Sequence, residues 1–114
     1  MAAIEASKEL VDKVYEIIEV AKSTGKIVKG TNETTKAIEK GKAKFVAVAK
    51  DVSPPEIIMH IPVIAEEKNV VCFQIPSKEE LGAAAGIQVS TGSVAVVQEG
   101  EARNLISDLL KNAK

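Results

Sequence analysis

Phe45-Val46-Ala47-Val48-Ala49 is an apolar run on both of its alternating faces. A strand of that composition is buried on both sides, so helices must cover the sheet above and below. Upstream, Ala37 and Ile38 form the buried side of a helical pattern that stops at Gly41. Before it comes Gly30-Thr31-Asn32-Glu33-Thr34-Thr35-Lys36, with Thr31 or Asn32 expected as the N-cap. Lys26 to Lys29 reads as a short strand feeding that turn. Residues 7 to 22 read as an amphipathic helix, with Leu10, Val11, Val14, Ile17, Ile18 and Ala21 on one face.

Downstream, Asp51-Val52-Ser53-Pro54-Pro55 forms a turn, and Pro55 suits a first helical position. Ile57, Ile58, Ile61 and Ile64 continue a helical stripe interrupted by Pro62, which implies two short pieces or a kink. Val70 to Ile75 is a second buried strand, with Cys72 a small core residue. Ser77-Lys78-Glu79-Glu80 fits a capping box. The helix it opens, through Leu81-Gly82-Ala83-Ala84-Ala85, has so little bulk that it must pack closely against something. Residues 87 to 92 form a loop, Ser93 to Val97 a strand, and about Glu101 to Lys111 a last helix. Helices and strands alternate throughout. The expected fold is α/β: one domain over residues 1 to 114, a three-layer α-β-α sandwich with a mixed sheet of about four strands.

The composition supports a folded chain and narrows its chemistry. Hydrophobic residues make up 46% and charged residues 27%, against disorder. A single cysteine excludes an intramolecular disulfide and a multi-cysteine zinc site. No apolar run approaches the ~20 residues of a membrane span. Met1 to Glu5 lacks the basic start and long apolar stretch of a signal peptide, so a soluble cytoplasmic protein with no membrane partner is expected.

Charge is unevenly placed. From Lys22 to Lys50 eight lysines face two glutamates, a local charge of +6, while the remainder carries seven basic and fourteen acidic residues, −7. The segment Gly30–Lys36 lies inside this one basic stretch. A solvated lysine surface is the plain explanation of such a stretch.

Catalytic patterns are missing. There is no phosphate-binding Gly-x-x-x-x-Gly-Lys loop, no Gly-x-Gly-x-x-Gly and no His-Glu-x-x-His, so no catalytic residue, cofactor or metal is expected. His60, the only histidine, has no nucleophile or second ligand placed nearby in sequence and reads as structural. Ser90-Thr91-Gly92-Ser93 is better explained as a hydrogen-bonded strand entry than as a phosphate turn, because no helix follows it. Asp51 and Glu56 read as a turn former and a first-turn helix charge.

Nucleic-acid recognition fits better. Asn32, Glu33 and Lys36 fall near one exposed helical ridge beside free backbone amides. A carboxylate such as Glu33 can accept from guanine N1–H and N2–H₂, and an ammonium such as Lys36 can donate to O6, N7 or a phosphate. Glutamate among lysines repels a plain phosphate surface, so it favours base-edge recognition. Aromatic residues are only 3%, against a stacking platform. Ile87 and Val89, apolar in a loop, could support an extruded base, although loop apolars more often tuck into the core.

The seven residues Gly30–Lys36 closely resemble the signature of the kink-turn RNA-binding ribosomal protein family, in particular its archaeal large-subunit L-seven-Ae type. The similarity runs from about Lys8 onward. It includes Phe45–Asp51, Pro55–Ile58, His60-Ile61-Pro62, Ser77-Lys78, Leu81-Gly82 and Ala85-Gly86-Ile87. The resemblance implies an α-β-α sandwich that binds sharply bent RNA with tandem sheared G·A pairs. It implies that Asn32, Glu33 and Lys36 read those guanines, and that Gly30 and Thr31 let the backbone approach RNA. It implies that Lys78 faces the RNA and that Ile87, Gln88 and Val89 cradle the extruded nucleotide, with Ile57 contributing. Spliceosomal relatives in eukaryotes carry an arginine where this chain has Val89, which suggests a broader kink-turn tolerance. Implied partners are ribosomal RNA, box C/D and H/ACA guide RNAs, ribonuclease P RNA and the other proteins of the guide-RNA particles.

Overall fold

The computed structural model describes residues 3–53 and 55–112. Met1, Ala2 and the turn residue Pro54 lie outside them. The strands are β1 (Ala3–Glu5), β2 (Lys26–Lys29), β3 (Phe45–Ala49), β4 (Cys72–Ile75) and β5 (Ser93–Gln98). The helices are α1 (Lys8–Thr24), α2 (Thr31–Glu39), α3 (His60–Glu67), α4 (Lys78–Ala84) and α5 (Arg103–Asn112). Short 3₁₀ turns at Pro55–Ile57 and Gly100–Ala102 precede α3 and α5.

The sheet order is β1-β4-β3-β5-β2, with β1, β4 and β3 parallel and β5 antiparallel to both β3 and β2. It is mixed, as expected, and gains a fifth short strand. β1 is only three residues long, too short to show an alternating pattern, and it pairs Ala3–Glu5 with Cys72–Gln74.

β3 lies at the centre, and all five of its residues are buried. Its alternate side chains serve two cores. Phe45, Ala47 and Ala49 pack with Val14, Ile18, Leu81 and Leu109 beneath α1, α4 and α5. Val46 and Val48 pack with Ile38, Ile61 and Ala65 beneath α2 and α3. This is the three-layer arrangement that a doubly buried strand demands. Phe45 and Phe73 stack with centroids 5.6 Å apart, adding about 0.5–1.5 kcal/mol beyond the area they bury.

Pro62 splits no helix. It sits in the first turn of α3, where its missing N–H has no intrahelical partner to lose, and the stripe divides instead between the 3₁₀ turn and α3. Asp51, the expected turn former, does more: its carboxylate accepts from the Lys78 amide at 2.8 Å, beside the Ser77 hydroxyl that accepts from Glu80 N at 3.2 Å. Both cap α4.

Candidate functional site

α2 begins one residue earlier than its side chains suggest. Gly30, not Thr31 or Asn32, is the N-cap, at φ 92° and ψ 156°. That backbone conformation is essentially reserved for glycine. A Cβ there would meet nothing within 4 Å, so the glycine answers to backbone geometry and leaves open space above it. No side chain caps α2, and its first intrahelical bond is Thr34 N to Gly30 O at 3.0 Å. The amides of Thr31, Asn32 and Glu33 therefore lack intrahelical acceptors at the positive end of the helix.

Asn32, Glu33 and Lys36 are all exposed. Lys36 Nζ lies 3.8 Å from Glu33 Oε2, with both side chains about 60% exposed. Such a pair is worth about 0–1 kcal/mol, so a ligand can part it at little cost. The inner face of the same turn is fixed firmly. Thr34 is fully buried, and Ser93 Oγ donates to its hydroxyl at 3.3 Å. Thr35 Oγ1 donates to Thr31 O at 2.7 Å and lies 2.7 Å from His60 Nε2. With the hydroxyl hydrogen directed at Thr31, His60 Nε2 acts as donor to Thr35. His60 thus has a structural part, joining α3 to α2.

The second segment of the site reaches the first through Ser93, the opening residue of β5. Gly30 N donates to Ser93 O at 2.9 Å, and Thr91 Oγ1 donates to the same oxygen at 3.0 Å. Thr91 N donates to Lys78 O at 3.1 Å, bringing the start of α4 alongside. The low-bulk α4 packs as expected: a Cβ on Gly82 would sit 2.2 Å from Val89 O. Only glycine lets residues 87–90 cross α4 so closely. Ile87 N closes the turn onto Gly82 O at 3.0 Å. Ile87 is half-buried and Gln88 exposed, while Val89 is 70% exposed and so does not tuck into the core.

Ile57 is 47% exposed on the 3₁₀ turn, next to buried Ile58, whose Cγ2 would be 3.5 Å from a Cβ on Gly92. It therefore belongs near the β5 entrance too. The polar ridge and the loop do not share one pocket. Ile87, Gln88 and Val89 line a cleft of about 480 Å³ with Glu79 and Ala83. Glu33 and Lys36 line a smaller one of about 170 Å³ with Lys26, Lys40 and Lys42. An extended surface with two open depressions suits a macromolecule better than a small enclosed ligand.

Sequence reasoning singled out neither Thr34 nor Thr35. The signal available was a hydroxyl residue at an inward helical position, which needs a buried partner. Among the described residues no group of three His, Cys, Asp or Glu is placed to hold a metal ion, and no helix is long and apolar enough to cross a membrane.

These features define a three-layer α-β-α protein with an uncapped, polar helix start beside an exposed apolar loop. Residues 12–106 match the model of the ribosomal protein L7Ae/L30e/S12e/Gadd45 family, and the chain belongs to that family. The structure is similar to that of the Giardia lamblia 15.5kD RNA binding protein, at TM-score 0.91 and 30% sequence identity, covering 98% of this chain and 94% of the other.

Proposed function

We propose that this chain is a non-catalytic RNA-binding protein that recognises kink-turns and stabilises their bent form. Asn32, Glu33 and Lys36 read the guanines of the tandem sheared G·A pairs. Gly30 and Thr31 admit the RNA backbone, and Lys78 faces it. Ile87, Gln88 and Val89, with Ile57, support the extruded nucleotide. The observation that carries this reading is the exposed Glu33 carboxylate, 3.8 Å from Lys36, on the first turn of an uncapped helix. A carboxylate has no reason to sit there for phosphates alone, whereas guanine offers it two donors. Family membership and the name of the similar structure support the RNA-binding part.

On this reading residues 1–114 form one RNA-binding domain of an archaeal, cytoplasmic protein. It serves the large ribosomal subunit, nucleates box C/D and H/ACA guide-RNA particles with their other proteins, and joins ribonuclease P. Nucleotide chemistry at Ser90–Ser93 is the rival. Thr91 and Ser93 are buried and spend their hydroxyls internally, which favours the strand-entry role. A protein-interaction subunit without RNA is the other, and its partner would survive ribonuclease treatment. The protein acts by binding the bent RNA more tightly than the extended form. A kink-turn RNA labelled at both helix ends should therefore show a saturable rise in energy transfer on titration. An unchanged signal at saturating protein contradicts the proposal.

A further inference from the structure

A series of hydrogen bonds runs along the end of the sheet that carries the proposed RNA site. Asp51 Oδ1 accepts from Lys78 N at 2.8 Å. Lys78 O accepts from Thr91 N at 3.1 Å. Thr91 Oγ1 donates to Ser93 O at 3.0 Å, and Gly30 N donates to the same oxygen at 2.9 Å. The series therefore joins the end of β3, the start of α4, the entrance of β5 and the start of α2. Lys78 lies in the middle of it. Its amide is held from the β3 side and its carbonyl from the β5 side.

Asp51 is itself well anchored. The preceding Lys50 N donates to Ile75 O at 2.7 Å, and the following Val52 packs against the core. Helix capping is the plain explanation of its bond to Lys78. Ser77 already caps α4 from within, however, by accepting from Glu80 N at 3.2 Å. A second cap reaching in from 27 residues upstream does something a local cap cannot: it fixes the start of α4 against β3. Lys78 is half-buried, and its ammonium has no ion pair among the described residues. Asp51 thus grips the Lys78 backbone and leaves the ammonium available.

We propose that Asp51 is a positioning residue for RNA binding, whose carboxylate holds the backbone from which the Lys78 ammonium reaches the RNA. This rests on the reading of Lys78 as facing RNA. The sign of the effect is distinctive. A carboxylate near RNA weakens binding through its charge, so electrostatics alone makes its removal favourable. Positioning makes removal of the acceptor unfavourable, because the ammonium is then no longer held in place before the RNA arrives.

The test is a native-gel titration of a kink-turn RNA with the whole protein, at a temperature where circular dichroism shows every variant folded. The proteins are the natural chain, Asp51→Ala, Asp51→Asn, Lys78→Ala and the double variant Asp51→Ala, Lys78→Ala. Asp51→Ala should weaken binding about tenfold, within the range for directly coupled residues. Asp51→Asn keeps an acceptor oxygen without the charge and should bind at least as tightly as the natural chain. In the Lys78→Ala protein, adding Asp51→Ala should change nothing further. An Asp51→Ala protein that binds as tightly as the natural chain, or more tightly, overturns the proposal. So does an Asp51→Asn protein as weak as Asp51→Ala, and so does an equal loss from Asp51→Ala with and without Lys78. In each of these cases a weakened Lys78→Ala protein leaves the reading of Lys78 standing. If Lys78→Ala binds as the natural chain does, that reading fails and the proposal fails with it.

Discussion

The amide of Gly30 donates to the carbonyl of Ser93 across 2.9 Å, tying the start of α2 to the start of β5. These residues are 63 positions apart in the chain (30 and 93), and their bond joins the segment that carries the polar ridge to the strand that follows the apolar loop. Gly30→Ala should cost about 1–3 kcal/mol, from backbone conformation alone, since no atom obstructs the new methyl. Urea denaturation measures it. RNA affinity should fall further than stability predicts, because relieving the strain moves the helix start.

Ser93 and Thr34 are both fully buried and share a hydroxyl bond of 3.3 Å. Ser93→Ala strips Thr34 of that partner and should destabilise by about 1–3 kcal/mol. Thr34→Val combined with Ser93→Ala should cost less than the two single changes added together, since neither hydroxyl is then left alone. A double-mutant cycle in denaturant reads the difference.

Gly82→Ala places a methyl against Val89 O, which must move. We expect a loss of about 1–3 kcal/mol. Amide chemical shifts of residues 87–90 should change while those of β3 stay in place.

Burial pushes the Cys72 thiol up from 9.0 to about 12. Between those values the unfolded chain gives up a proton that the folded chain keeps. The contribution is therefore intact below pH 9 and declines toward pH 12, at about 1.4 kcal/mol per pH unit. The Tyr15 hydroxyl is also raised, chiefly by burial and then by its bond to Glu80, and adds to the same alkaline loss. Cys72→Ala should flatten the part of the stability–pH curve that begins near pH 9. An unaltered curve would show that the thiol is not responsible.

The sandwich was legible because β3 carries its evidence on both faces: five apolar residues in a row admit only a covered central strand. β1 was not, since three residues have no periodicity to detect. The exposed ridge of Asn32, Glu33 and Lys36 could be read from helical spacing, because local geometry alone puts them together. Asp51 as a cap for α4, and His60 as the partner of Thr35, depend on contacts 27 and 25 residues distant. Nothing in their local sequence states where those partners lie. Val89 shows the opposite limit: an apolar loop residue usually turns inward, but the closeness of Gly82 to its carbonyl accompanies an outward-facing side chain.

Glu33 and Lys36 separate binding from folding. Their pair is exposed, so Glu33→Ala or Lys36→Ala should alter stability by no more than about 1 kcal/mol. Lys36→Ala should weaken RNA binding by about 1–3 kcal/mol if the ammonium meets a base edge, and Glu33→Ala should abolish discrimination between base pairs. The most direct measurement is a native-gel titration of the natural protein against a kink-turn RNA and against the same RNA with its G·A pairs replaced by C·G. The account predicts tight binding to the first and a large loss on the second. Equal affinity for the two RNAs would contradict it.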